Sequence, residues 1–155
     1  MTKVDGHKFG DKDVELHQAI QTDSLLLFRL QHLDGKAIDL SNNKQVDSLN
    51  EYKKTLKPEL ISVIVVESQK VGRLRVVREE DKIYIGGFQI LPDYRNRGIG
   101  SIIIRRLIKE SEQTKQVIRL EVFNNNPKAK ALYVRHGFEV DSIQDTVTQM
   151  IFIPK

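Results

Sequence analysis

The residues best placed to do chemistry are Arg95-Asn96-Arg97-Gly98-Ile99-Gly100. They follow a strongly apolar segment and precede a run with helical spacing. Gly98 and Gly100 carry no Cβ, so backbone can approach a ligand closely there. The first N–H groups of a helix lack partners within it. Together with the positive end of the helix dipole they form an anion site, which suits a phosphate or pyrophosphate. Arg95 and Arg97 add positive charge beside it. The competing reading is a tight strand-to-helix turn that merely uses two glycines.

Two familiar phosphate loops do not fit. A P-loop needs Gly-Lys followed by Ser or Thr, but Gly100 is followed by Ser101 and Ile102. A dinucleotide fingerprint needs a third small residue where Ile103 stands. It also needs a parallel βαβ unit, whereas the strands ahead of the turn read as an antiparallel meander.

A second constellation lies downstream: Asn126, Ala129, Leu132-Tyr133 and Gly137-Phe138. Asn126 can cap a helix that has Pro127 at its first position and ends at Gly137. With Arg95, Gly98 and Gly100 in the first segment, this order closely resembles the GNAT family of N-acetyltransferases. The resemblance covers about residues 61–138.

The resemblance implies an α+β, GNAT-like fold. Its mixed, mostly antiparallel central sheet is flanked by helices and splayed between the fourth and fifth strands. It implies acetyl-CoA as co-substrate and transfer of the acetyl group to a primary amine by direct attack. Backbone from Arg97 through Gly98, Ile99 and Gly100 to Ser101 would hold the pyrophosphate, with Arg95 and Asn96 in the same turn. Ile90 and Leu91 would pair through their main chain with the pantetheine arm. The N–H of Ile90 would face the carbonyl oxygen, Asn126 would also contact the cofactor, and Tyr133 would protonate the leaving thiolate.

Apart from the resemblance, Tyr133 reads equally well as a core aromatic, and Asn126 as a helix cap alone. Some relatives carry a Glu four residues before the position of Ile90. Gly86 stands there, so Glu121 on the next strand becomes the substitute base, acting through water. Its competing reading is a solvent-facing carboxylate. The missing Glu also keeps open a non-catalytic acyl-CoA-binding or regulatory module. The acceptor, a small amine or a protein amino group, is not legible. Relatives often form homodimers, which the resemblance leaves open here.

The elements that must position these residues are readable from periodicity. Val14–Ala19 predicts a strand. Thr22-Asp23-Ser24 opens a helix carrying Leu26, Leu27, Leu30 and Leu33, and residues 34–43 read as a loop. Asp47–Leu56 predicts a short helix. Ile61–Glu67, Val71–Arg78 and Lys82–Leu91 predict three strands, the last apolar on both faces. Gly86-Gly87 within it suggests a bulge or a close backbone approach. A helix over Ile99–Ser111, a strand over Val117–Phe123, the Asn126–Gly137 helix and strands at Phe138–Val140 and Thr146–Ile153 complete the chain. Met1–Asp13 reads as a flexible tail, and 14–155 as one acyl-CoA N-acyltransferase domain.

Composition limits the alternatives. The 155 residues suit one domain, with 39% hydrophobic and 30% charged residues. Only 6% are aromatic and none is Trp, so aliphatic side chains must build the core. The absence of Cys excludes disulfides, thiolate metal sites and a Cys nucleophile, and it fits a cytoplasmic setting. His7, His17, His32 and His136 have no metal-ligand spacing, so no metal is expected. No apolar run is long enough for a membrane helix, so no membrane partner is expected. The net charge of +4 is dispersed among acidic residues, and no nucleic-acid partner is expected. His136, near a helix C-terminus, reads as a residue that compensates the helix dipole.

Overall fold

The computed structural model describes residues 6–32 and 38–155. Residues 34–37 of the loop expected over 34–43, together with Leu33 and residues 1–5 of the expected tail, lie outside them. The strands are β1 (Val14–Gln18), β2 (Ser62–Val66), β3 (Gln69–Arg78), β4 (Lys82–Ile90), β5 (Val117–Phe123), β6 (Glu139–Ile143) and β7 (Val147–Phe152). The helices are α1 (Ser24–His32), α2 (Asn43–Thr55), α3 (Ile99–Thr114) and α4 (Pro127–Arg135). The strands form one seven-stranded sheet in the order β1-β2-β3-β4-β5-β7-β6. β1–β2, β2–β3, β5–β7 and β6–β7 pair antiparallel, and β4–β5 pair in parallel.

That parallel pair corrects one expectation. β4, α3 and β5 form a βαβ unit, because α3 returns the chain so that β5 runs alongside β4 in the same direction. Topology therefore does not exclude a dinucleotide fingerprint; Ile103, which is buried, still does. Among the described residues the β4–β5 ladder runs from Lys82↔Val117 to Ile85↔Leu120. Both strands continue past it, β4 to Ile90 and β5 to Phe123.

The chain forms two compact units that interleave in sequence. One comprises the chain up to Arg75 together with Gly87–Arg97; the other comprises Val76–Gly86 and Gly98–Lys155. In the first, Ala19, Leu27, Ile61, Val63 and Val65 form a buried cluster against which Leu26, Tyr52 and Leu56 pack. β2 is buried from Val63 to Val66, as its unbroken β-branched run requires. α2 begins four residues before the expected Asp47, since the Asn42 side chain accepts from the N–H groups of Lys44 and Gln45. Asp23 is buried and holds Lys70 Nζ at 2.6 Å.

In the second unit α3 buries Ile99, Ile102, Ile103, Ile104 and Leu107. β5 alternates, burying Ile118, Leu120 and Val122. The aliphatic core expected without Trp is present in both units.

Candidate functional site

The turn before α3 owes its shape to two left-handed residues. Asn96 has φ 61° and Gly98 has φ 91°. Asn tolerates that region, and Gly enters it without strain. Gly98 is the N-cap of α3, and its carbonyl accepts the first intrahelical bond, from Ile102 N–H at 3.0 Å. The N–H groups of Ile99, Gly100 and Ser101 thus precede the helical ladder and have no partner within it.

The two carbonyls just upstream are tied back. Asn96 O accepts from Lys8 Nζ, and Arg97 O accepts from Phe9 N–H at 2.8 Å. In a trans peptide the N–H points opposite to its C=O. Holding these carbonyls on the Lys8–Phe9 side therefore turns the N–H groups of Arg97 and Gly98 the other way. These donors, from Arg97 to Ser101, form the kind of helix-start concavity that can bind an anion.

The clamp is built by residues that the sequence reading assigned to a flexible tail. Phe9 is buried, and the Arg97 guanidinium lies 4.4 Å from its ring centroid and 5.3 Å from that of Tyr94. Arg97 Nε donates to His7 O at 2.9 Å. His7, Lys8 and Phe9 are thus bonded to the turn, and Phe9 is buried against it. Arg97 itself is buried, so its side chain secures the back of the turn instead of reaching out as expected. Arg95 is exposed, and its Nε donates to Ile90 O at 2.8 Å.

The main chain after β4 is partly spent. Leu91 N–H donates to Val71 O at 2.7 Å, and Leu91 O accepts from Tyr94 N–H. Leu91 N–H is therefore already engaged, and its carbonyl keeps one lone pair. Gly87 has a different role from the one expected. A Cβ there would lie 2.9 Å from Nη2 of Arg73, so the close approach is to a guanidinium.

The second constellation is a pair of helix caps. Asn126 Oδ1 accepts from Ala129 N–H at 3.2 Å and closes the start of α4. At the other end Phe138 N–H donates to Tyr133 O and Gly137 N–H to Val134 O, with Gly137 at φ 91°. This is a Schellman motif, and its hydrophobic contact is the Tyr133–Phe138 ring pair at 5.4 Å. The spacing from Tyr133 to Gly137-Phe138 thus follows from backbone geometry. Tyr133 is buried, and burial pushes its phenol above the ordinary range.

The two constellations touch. A Cβ on Gly100 would lie 3.2 Å from Leu132, so the missing side chain lets α4 pack against the first turn of α3. Ser101 Oγ and His136 Nε2 are 3.0 Å apart. Desolvation, then Arg105 and Arg135, lower the His136 pKa. This opposes the charged form that would compensate the helix dipole. Glu121 is exposed on β5, and its Oε1 accepts from Gln149 Nε2 at 2.6 Å.

Among the described residues no group of three or more His, Asp or Glu could hold a metal ion, and no helix is long and apolar enough to cross a membrane.

Residues 30–138 match the model of the acetyltransferase (GNAT) family. A search of curated proteins finds no match. Among solved structures, an N-acetyltransferase from Staphylococcus aureus Mu50 superposes with a TM-score of 0.68 at 18% identity, covering 89% of this chain and 100% of that one. The paiA N-acetyltransferase of Thermoplasma acidophilum, in complex with coenzyme A, gives 0.67 at 17% identity, with 90% and 98% covered. The ribosomal-protein-S18-alanine N-acetyltransferase of Escherichia coli gives 0.64 at 19%, with 92% and 95% covered. Identities this low establish likeness of fold alone. The matched family model spans both the Gly98–Gly100 turn and the Asn126–Phe138 caps, and on that ground the chain belongs to the GNAT acetyltransferase family.

Proposed function

We propose that the chain transfers an acetyl group from acetyl-CoA to a primary amine. The supporting observation is the donor run from Arg97 to Ser101, whose upstream carbonyls are tied to Lys8 and Phe9. An amine can attack only when neutral, so a proton must leave it. When bound, acetyl-CoA supplies a thioester activated toward amines. The remaining work belongs to the protein.

Backbone donors at the start of α3 hold the pyrophosphate. The N–H of Ile90 takes the carbonyl oxygen as it gains charge. Asn126, beyond capping α4, keeps one lone pair for the cofactor. Tyr133 retains its proton at neutral pH, because burial disfavours the phenolate, and gives it to the sulfur as the C–S bond breaks. Glu121 receives the amine proton through water; its exposure on β5 supports that role.

The rival reading is a non-catalytic acyl-CoA-binding module. Gly86 in place of a carboxylate favours it, as does the bond that ties Glu121 to Gln149. Thiol release from acetyl-CoA over a broad amine panel separates the two readings. The enzyme reading expects turnover with at least one amine; firm CoA binding with no turnover on any of them supports the module. Once an acceptor is found, Glu121→Gln should lower kcat by roughly 100-fold. Unchanged turnover would assign proton removal to bulk solvent.

A further inference from the structure

Arg73 on β3 is only 5% exposed. Its Nη1 donates to Oε1 of Gln89 at 3.1 Å. Its Nε is buried and has no partner among the described residues. No carboxylate faces it among them either; its charged and titratable neighbours are Tyr52, Arg75 and His32. A buried cation without a counter-ion is costly, and proteins rarely keep one without a use.

The surroundings are arranged to keep this guanidinium in place. It lies over Gly87, where a Cβ would sit 2.9 Å from Nη2 and 3.2 Å from Cζ. A larger residue at 87 would displace it. Beside it, α1 and α2 bring three rings together: Phe28 and His32 with centroids 4.5 Å apart, Phe28 and Tyr52 at 5.5 Å, and His32 and Tyr52 at 5.6 Å. Gln89 occupies one end of the fork. The remaining edge, Nε–H with Nη2–H, has the planar spacing that matches the two oxygens of a carboxylate.

Gly87 is three residues before Ile90, about 10 Å along a strand. We propose that Arg73 anchors the carboxylate of the acceptor, so that the substrate class is a small amine bearing a carboxylate, such as an amino acid. This rests on the acetyltransferase reading above. Neutral His32 and Tyr52 leave the added anion unopposed: burial, with Arg73, lowers the histidine's pKa, and burial raises the phenol's.

The test is an NMR titration of the wild-type protein with CoA present, following the Arg73 Nε–H signal. The signal is assigned by its loss in Arg73→Lys. The probes are the standard amino acids, each as the free acid and as its carboxamide, and thiol release from acetyl-CoA is measured on the same set. At least one free acid should shift the signal at millimolar concentration, while its carboxamide does not. That acid should be acetylated with kcat/KM at least about tenfold above its amide. Arg73→Lys should bring the ratio near one and leave CoA affinity unchanged.

The proposal falls if no free acid moves the signal, if amides move it equally, or if Arg73→Lys keeps the preference. A shift by free acids without turnover on any amine would uphold the carboxylate site and sink the acetyltransferase reading instead. The titration needs no turnover and no folded variant beyond the assignment, so the two failures remain distinct.

Discussion

Replacing Tyr133 with Phe should lower kcat by roughly 100-fold and leave CoA affinity within about twofold. The variant loses one oxygen and keeps the ring, so the 5.4 Å contact with Phe138 and the cap of α4 survive. The effect belongs at the lower end of general-acid contributions. A buried phenol is a weaker acid than an exposed one, and an alkyl thiolate is only a moderate base.

The same burial sets two pH effects. Because the phenol is raised above its ordinary value of 10.0, the basic limb of kcat should not report its ionisation below that pH. Stability behaves in parallel. Above pH 10 the unfolded chain releases the phenolic proton while the fold retains it, so stability falls as pH rises. Tyr133→Phe should remove that component of alkaline unfolding. Unchanged turnover, with alkaline stability flattened as expected, would leave Tyr133 a core residue and assign thiolate protonation to water.

Gly98→Ala should weaken CoA binding by about tenfold or more, measured by calorimetry, and lower the Tm by a few degrees. At φ 91° an L side chain meets its own backbone, at a cost of about 1–2 kcal/mol. For a chain of this size each kcal/mol corresponds to about 2–4 °C. The turn can relieve the strain only by leaving the left-handed region, which swings the donors of Gly98 and Ile99 out of line. Gly100→Ala is the informative contrast. Gly100 lies in α3, and an added Cβ meets only the end of the Leu132 side chain. It should leave CoA affinity closer to wild type. Equal CoA binding by wild type and Gly98→Ala would refute the pyrophosphate assignment of this turn.

Much of this protein was legible along the chain because its signals are local. β-branched runs mark β2 and β4, the 3.6-residue period marks α3, and Asn126 and Gly137 mark the two ends of α4. A cap is decided within a few residues, so its spacing can be read from sequence. The anion-binding turn is local for the same reason: Gly98 starts α3, and a helix start always presents unpaired donors.

Tertiary structure decided what lies behind and beside those elements. Lys8 and Phe9 bond the carbonyls of Asn96 and Arg97, though Lys8 and Asn96 stand 88 residues apart. A polar N-terminal stretch gives no hint of such a partner. Gly100 is small for Leu132, and Gly87 for the guanidinium of Arg73; in each case the reason for the glycine lies on another element. The parallel β4–β5 pair was likewise hidden, since strand direction depends on how α3 folds back and no periodicity records it. The helix start at Gly98, with its unpaired donors, is therefore a property of the sequence. The orientation of its donors, and the burial of Arg73 without a counter-ion among the described residues, exist only because distant residues are brought together.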